Sequence, residues 1–185
     1  MFLYFALTFA AAACLLELYL LISYVRCRGK YPPFVISFGR VKRDLLQKAE
    51  EVLAGEEESV DVVDLGCGSG SLLVPLAKKF PQHRFYGYEW DALPFFLVKK
   101  RAGKLNNLHI YKKDFMKEDL SRYKLLLCNV GNGLEQELGR KLNAEISADA
   151  IVLSEMFRLA FLREKEILPS RLWGLRVNVF WYVRR

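Results

Sequence analysis

The chain has 185 residues, of which 52% are hydrophobic, enough for one domain with a substantial core. Its 28 Lys and Arg residues outnumber its 21 Asp and Glu residues, so the net charge is +7 at pH 7. This balance favours anionic partners, but we expect no nucleic acid, because the sequence contains neither an RNP motif nor an arginine-rich tract. The four cysteines and two histidines show no metal-ligand spacing, which predicts reduced thiols and no metal site.

Residues 1–25 are almost entirely apolar, and Glu17 is their only charged side chain. A helix needs about 20 apolar residues to cross a bilayer, so we predict an uncleaved transmembrane anchor. A cleaved signal peptide, the rival interpretation, would need a positively charged start and a shorter apolar stretch. A carboxylate inside a bilayer is costly, so we expect the helix to shift or Glu17 to be protonated, with a helix–helix contact as the alternative.

Basic residues follow the apolar segment directly: Arg26, Arg28 and Lys30. The positive-inside rule places this flank in the cytoplasm, or on the matrix side if the protein is mitochondrial. The basic charge also predicts attraction to anionic lipid headgroups. We therefore predict three parts, which are an anchor over 1–25, a basic and proline-containing linker over 26–37, and a domain over 38–185.

The domain begins with a predicted helix that ends near Gly55, because apolar residues recur at helical spacing: Val41, Leu45, Ala49, Val52 and Leu53. Strands and helices then alternate. We predict strands within 59–66, 83–90, 107–115, 123–130 and 149–157, helices within 69–80, 91–105 and 133–146, and one or two strands within 172–185. Asp91 is the expected N-cap of the second of these helices.

Continuously apolar strands that alternate with helices predict an α/β domain, with a parallel sheet covered on both faces. Ligands of such sheets bind beyond the carboxyl ends of the strands. His83 and His109 lie far apart in the chain and are expected to be ordinary surface or strand residues, and Cys128 is expected to be buried in a strand.

The most informative segment is "VVDLGCGSGSLLVPL", residues 62–76, in which a strand runs into a glycine-rich turn. A phosphate-binding P-loop is excluded, because no Lys follows Gly70 until Lys78. The dinucleotide pattern G-x-G-x-x-G fits at Gly66 and Gly68, but its third position is Ser71. The third glycine comes one residue early, which weakens the dinucleotide interpretation.

The acid before the turn favours a different ligand. Asp64 would repel a pyrophosphate, but its carboxylate can accept hydrogen bonds from an ammonium group. S-adenosylmethionine carries an α-ammonium and no phosphate, so the turn favours this amino acid–nucleoside. Glu89, at the end of the next strand, is placed to bind ribose hydroxyls, and nicotinamide enzymes use such an acid too. Asp114 could accept from an adenine amino group, with Phe115 or Trp90 against the base.

These three segments, "VVDLGCGSG", "YGYEW" and "KKDF", in this order and spacing resemble the first motifs of class I S-adenosylmethionine-dependent methyltransferases. The resemblance implies a Rossmann-like sheet of seven strands whose last strand, within "VNVFWYVRR", runs antiparallel. It also implies which residues surround the cofactor: Asp64, Gly66, Cys67, Gly68, Gly70, Glu89, Trp90, Asp114 and Phe115. We expect Cys67 to be a small filler and not a nucleophile, because methyl transfer needs none.

The apolar start, the segment "PPFVISFGRVKRDLLQKAEEV" and the turn together resemble small membrane-anchored protein-lysine methyltransferases of mitochondria and prokaryotes. Those proteins carry Pro-Tyr/Phe-Val-Pro where this chain has Pro33 to Ile36, and Asp-Gly-Arg where it has Ser69 to Ser71. The acceptor side is predicted to include Phe34, Asn129, Glu155 and Phe157. No catalytic residue is assigned.

The function predicted from these features is methyl transfer to a membrane-associated acceptor, most simply a protein lysine. A lipid, quinone or other small-molecule acceptor is an alternative. Two further possibilities use the same fold differently, namely a non-catalytic membrane scaffold and an NAD(P)-dependent oxidoreductase. The sequence does not indicate an oligomeric state.

Overall fold

The structure is a computed structural model that describes residues 2–26, 39–130, 133–172 and 174–185. The chain divides into two compact units, the first containing one helix and the second containing all the remaining elements. The helices are α1 (Phe2–Arg26), α2 (Gly39–Ala54), α3 (Leu73–Lys79), α4 (Ala92–Ala102) and α5 (Glu135–Glu145). The strands are β1 (Asp61–Leu65), β2 (Arg84–Tyr88), β3 (Leu108–Tyr111), β4 (Leu125–Cys128), β5 (Ile151–Glu155), β6 (Arg163–Leu172) and β7 (Leu175–Val183).

The N-terminal apolar segment forms a single helix of 25 residues, α1. Among the described residues, however, no helix has both the length and the apolar character that a membrane crossing requires. The transmembrane prediction is therefore not confirmed. The predicted linker lies outside the described residues except for Arg26.

The second unit is built around a seven-stranded sheet with the order β3-β2-β1-β4-β5-β7-β6. The strands β1 to β5 pair in parallel, and β7 runs antiparallel to both of its neighbours, β5 and β6. This arrangement confirms the predicted α/β class, the number of strands and the antiparallel last strand. The apolar β4 lies in the middle of the sheet with all four residues buried.

The core lies between the sheet and a layer formed by α2, α3 and α4. Helix α2 turns Val41, Leu45, Ala49 and Leu53 into it, and each of these side chains is fully buried. Burial of one leucine side chain stabilises the fold by about 2 kcal/mol, so α2 is a structural part of the domain. Helix α5 has its own buried residues outside this cluster, as expected for a sheet covered on both faces.

Strand β6 was not predicted to begin before residue 172, and the structure places its start at Arg163. Its first residues are charged and mostly exposed, and it contains Pro169, so it lacks the apolar run of a buried strand. Proline and charged side chains are common on edge strands, and β6 is the edge of this sheet.

His83 differs from its prediction as well, because it is fully buried at the start of β2. Its Nδ1 accepts a hydrogen bond from the Val60 amide at 3.3 Å, and its Nε2 lies 3.2 Å from the carbonyl oxygen of Leu53. The ring thus connects the end of α2 to the start of β1. The other histidine, His109, is an exposed strand residue, as predicted.

Candidate functional site

The register of the parallel strands brings the predicted site residues into one row. Leu65 lies opposite Tyr88 on one side and Cys128 on the other, and Cys128 lies opposite Ser154. The next residue on each strand is therefore at the same level of the sheet: Gly66, Glu89, Asn129 and Glu155. This row is the carboxyl edge, where ligands of such sheets bind.

The glycine turn after β1 is a left-handed backbone that only glycine adopts readily. Gly66, Gly68 and Gly70 have φ angles of 81°, 53° and 75°. The amides of Gly66 and Cys67 donate to the carbonyl oxygen of Tyr88 at 3.0 and 2.9 Å, which fixes the turn to the end of β2. Two backbone hydrogen bonds therefore attach the start of the turn to β2.

Gly70 is also required by packing. A methyl group at this position would lie 2.5 Å from Cγ2 of Val98 on α4 and 3.0 Å from Cγ2 of Val74 on α3. The early third glycine, which argued against a dinucleotide, thus allows the turn to approach α4 closely. Arg101 of α4 braces the same turn by donating to the carbonyl oxygen and Oγ of Ser69 at 3.1 and 3.0 Å. Nothing in the sequence pattern indicated that contact.

Cys67 turns its side chain into the core and not toward the ligand edge. It is 5% exposed, and its Sγ would lie 2.8 Å from a methyl group added to Gly87 of β2. Burial, assisted by the nearby Asp64 and Glu89 carboxyls, raises the pKa of its thiol well above the usual value. The thiol is therefore neutral and fills space in the core, as predicted.

Asp64 is a buried acid at the end of β1. Its side chain is 3% exposed, and burial, reinforced by Glu89 and Glu155, raises its pKa to about 8. A buried carboxyl group next to two other acids is stabilised when a cation arrives. Such an environment suits an ammonium ligand and opposes a phosphate, as the sequence predicted.

Glu89 is buried too, but its carboxylate is hydrogen-bonded to backbone. Oε2 accepts from the Gly68 amide at 2.8 Å, and Oε1 accepts from the Asp91 amide at 2.7 Å. Burial raises its pKa, and these backbone bonds oppose that shift. Each oxygen retains a second lone pair, so Glu89 joins the glycine turn to β2 and can still accept from a ribose hydroxyl.

Trp90, Asp114 and Phe115 lie beyond the ends of β2 and β3. Trp90 is 52% exposed, and Phe115 borders the turn, since its Cε1 would be 4.0 Å from a methyl group on Gly66. Asp114 caps the 3-10 helix Phe115–Lys117 by accepting from the Met116 amide at 3.0 Å. Asp91 occupies the N-cap position of α4, but its side chain makes no capping hydrogen bond.

Three of the residues predicted for the acceptor side lie at or just beyond the ends of β4 and β5. Asn129 is half-buried, and Glu155 is 1% exposed. Phe157 is half-buried and follows Met156, whose φ of 67° is strained for a residue with a side chain. The Phe157 amide donates to the carbonyl oxygen of Glu155 at 2.8 Å, which makes a tight three-residue turn. Phe34 lies outside the described residues.

The segment after this turn is held closely against α5. The amide of Leu159 donates to the Tyr182 hydroxyl at 3.0 Å, and Ser154 Oγ donates to the carbonyl oxygen of Phe157 at 2.8 Å. A methyl group on Gly139 would lie only 2.0 Å from the carbonyl oxygen of Ala160. The backbones of α5 and of this segment are therefore in direct contact.

The row fits an S-adenosylmethionine-type cofactor. The buried Asp64 would hold the ammonium, the left-handed glycine turn lets backbone approach the ligand, and Glu89 lies at the end of the neighbouring strand. Such a cofactor supplies an electrophilic methyl group on a sulfonium, and the protein aligns it with a nucleophile.

Comparison with known proteins agrees with this chemistry. The family model described as the ANTKMT methyltransferase domain matches residues 64–166, which is more than half of the chain. The chain belongs to this methyltransferase family. It is an enzyme that uses S-adenosylmethionine as its cofactor, which excludes the NAD(P)-dependent and scaffold alternatives.

Individual relatives point the same way. A protein-lysine N-methyltransferase of Saccharolobus islandicus (strain REY15A) is 24% identical over 154 residues, which cover 82% of this chain and 92% of the relative. Two solved structures share the fold of this methyltransferase. An RNA methyltransferase from Salinibacter ruber, in complex with S-adenosyl-L-homocysteine, has a TM-score of 0.66 and 18% identity over 81% of this chain and 95% of its own. A precorrin-6y C5,15-methyltransferase from Geobacter metallireducens GS-15 has a TM-score of 0.61 and 13% identity over 78% and 87%.

Proposed function

We propose that this methyltransferase acts on the side-chain amine of a protein lysine. The observation that carries the proposal is the similarity to the protein-lysine N-methyltransferase, which extends over 82% of the chain. The residues proposed for the acceptor side support it, because Asn129 and Glu155, in the same row as Gly66 and Glu89, offer an amide and a carboxylate. These groups can accept the hydrogens of an amine.

In this proposal each residue has a separate role in an in-line displacement. Asp64 and Glu89 hold the amino-acid end and the ribose, while Asn129 and Glu155 orient the acceptor amine. A lysine must lose its proton before its lone pair can attack, and a buried environment favours the neutral amine. Alignment of the two reactants supplies most of the acceleration.

The acceptor is proposed to be membrane-associated, with the domain on the cytoplasmic or matrix side. Two sets of exposed apolar side chains support this location. Those on α1 are Tyr4, Phe9, Leu15, Leu18, Leu21, Ile22 and Val25, and those on and before α4 are Trp90, Leu93, Phe96 and Leu97. The last turn of α4 adds basic residues, as expected for contact with anionic lipid headgroups.

The test uses the full chain and native membranes with a methyl-labelled cofactor. We expect the label in protein, recovered as methyl-lysine after acid hydrolysis. Label in the lipid extract instead would replace the lysine proposal with a lipid or quinone acceptor. Phe96→Ser combined with Leu97→Ser should reduce labelling of membrane proteins, whereas Leu175→Ser, at an exposed leucine of β7, should not.

Topology requires its own experiment. In spheroplasts of the producing cell, a protease added from outside should leave the domain intact and should degrade it after lysis. Degradation before lysis would exclude the cytoplasmic side.

A further inference from the structure

A cavity lies at the β6–β7 end of the sheet. It is formed by the start of α2, the end of β6 and the start of β7. Its volume is about 320 Å³, which is within the range of small-molecule sites. Seven residues line it: Arg40, Pro169, Ser170, Arg171, Arg176, Val177 and Asn178. None of them belongs to the row of residues at the carboxyl edge.

The cavity collects positive charge in an unfavourable arrangement. Arg171 and Arg176 are direct partners in the antiparallel pairing of β6 with β7. Like charges directly opposite each other destabilise a sheet. Within the described part of the chain neither of these two arginines has a carboxylate at salt-bridge distance, and both are exposed.

The third arginine is only weakly neutralised. Arg40 Nε lies 3.7 Å from Oδ2 of Asp44, an oxygen that also accepts a hydrogen bond from Ser170 Oγ at 2.5 Å. Of the three guanidinium groups, only that of Arg40 has a carboxylate within salt-bridge distance among the described residues, and this carboxylate also accepts from Ser170. An anion that entered the cavity would relieve the repulsion between Arg171 and Arg176.

We propose that this cavity binds a phosphate group. Guanidinium forks match the oxygens of a phosphate with paired hydrogen bonds, and two forks on adjacent strands can hold one phosphate from two sides. The phosphate comes either from an anionic phospholipid headgroup or from a soluble phosphate ester. The volume admits a glycerophosphate as well as the bare ion.

The position of the cavity gives this binding a consequence for the enzyme. The carbonyl oxygen of Asn178, which lines the cavity, accepts from the amide of Met156 at 2.9 Å. Met156 is the strained residue between the acceptor-side residues Glu155 and Phe157. One residue that lines the cavity is therefore hydrogen-bonded directly to the turn between Glu155 and Phe157.

The experiment is calorimetry with the full chain in non-ionic detergent. The probes are mixed micelles with phosphatidylglycerol, mixed micelles with phosphatidylcholine, glycerol 3-phosphate and inorganic phosphate. We expect Arg171→Gln combined with Arg176→Gln to weaken binding of the preferred phosphate probe at least tenfold. Arg163→Gln combined with Lys104→Gln removes the same charge elsewhere and should change it less than twofold.

Melting temperatures measured without and with phosphate test the same cavity. Because the repulsion disappears, Arg176→Gln alone should raise the melting temperature, and phosphate should stabilise the native chain but not this variant. Preference for phosphatidylglycerol identifies a lipid headgroup, and preference for glycerol 3-phosphate identifies a soluble ester. Equal binding by the double variant and its charge-matched control would overturn the proposal, as would tighter binding of a hexaglutamate peptide than of any phosphate probe.

Binding of S-adenosylhomocysteine to the Arg171→Gln/Arg176→Gln variant should equal that of the native chain. This control separates the cavity from the methyl-transfer site, so a failure of the phosphate proposal leaves the proposed lysine methylation untouched.

Discussion

The two halves of the carboxyl edge are built differently. On the β1–β2 side, backbone bonds fix the polar groups, as where Gly68 and Asp91 amides bond Glu89. On the β4–β5 side, a buried Glu155 is followed by a strained turn at Met156. In the first half the glycine turn after β1 is bonded to Tyr88 and Glu89 at the end of β2, whereas the second half depends on tertiary contacts with α5 and β7. We propose that the first half holds the cofactor and that the second half receives the acceptor.

The largest expected effect is a loss of cofactor affinity on the β1–β2 side. Asp64→Asn removes the carboxylate proposed to hold the ammonium, so we expect the affinity for S-adenosylhomocysteine to fall roughly a thousandfold, or about 4 kcal/mol. Calorimetry measures it. Asp61→Asn is the matched control at the other end of β1, where the carboxylate pairs with Arg84. Unchanged affinity in Asp64→Asn would contradict the assigned role.

The next effect is a loss of stability when the packing of the glycine turn against α4 is disturbed. Gly70→Ala combines a left-handed backbone with a clash against Val98, so we expect the free energy of unfolding to fall by about 3 kcal/mol. Gly174→Ala is the control, because its φ is +81° but nothing lies within 4 Å of the added methyl group. Its cost should be about 1 kcal/mol. Equal losses by chemical denaturation would show that packing against α4 is unimportant.

The pH dependence of stability sharpens the contrast between carboxylates. The pKa of Asp64 is raised to about 8 in the folded state, so between about pH 4 and 8 the folded state keeps a proton that the unfolded state has lost. The contribution of Asp64 to the free energy of unfolding is therefore fully present below pH 4 and is lost as the pH rises towards 8. We expect the stability of the Asp64→Asn variant to fall less between pH 4 and 8 and to exceed that of the native chain at pH 8. Parallel melting curves of both proteins from pH 5 to 8 would refute this.

The smallest effect couples the two halves. Glu155 raises the pKa of Asp64, but it contributes less than burial and Glu89. In the native chain the affinity for S-adenosylhomocysteine should rise with pH up to about 8, as Asp64 ionises. Glu155→Gln should lower the pH at which half of this rise in affinity is reached by a fraction of a pH unit, whereas the exposed Glu57→Gln should not. Calorimetry across pH 6 to 9 measures the shift, and an upward shift would exclude the coupling.

The alternation of elements was predictable because the buried strands carry short apolar runs, as in the Val62–Val63 pair of β1 and in all four residues of β4, and these runs alternate with helical patterns. Edge strand β6 was missed because its charged side chains face solvent and Pro169 interrupts it. The burial of His83 could not be predicted either, since its partners, Leu53 and Val60, become neighbours only after α2 folds onto the sheet.

The same division holds for the site. Asp64, the glycines and Glu89 are contiguous with strand ends, so the rule for parallel sheets placed them at one edge. The brace from Arg101 to Ser69 and the contact of Gly139 with Ala160 join residues 20 or more positions apart, and neither has a local sequence signature.

The contact between Gly139 and Ala160 has a consequence for how this enzyme can diverge. Because α5 and the segment after β5 touch backbone to backbone, that segment cannot slide, lengthen or tilt without separating the two. New acceptor preferences are therefore expected to arise by exchanging side chains such as Phe157 on a fixed frame. An engineer who wishes to retarget the methyl group should vary residue types there and leave the length of the segment unchanged.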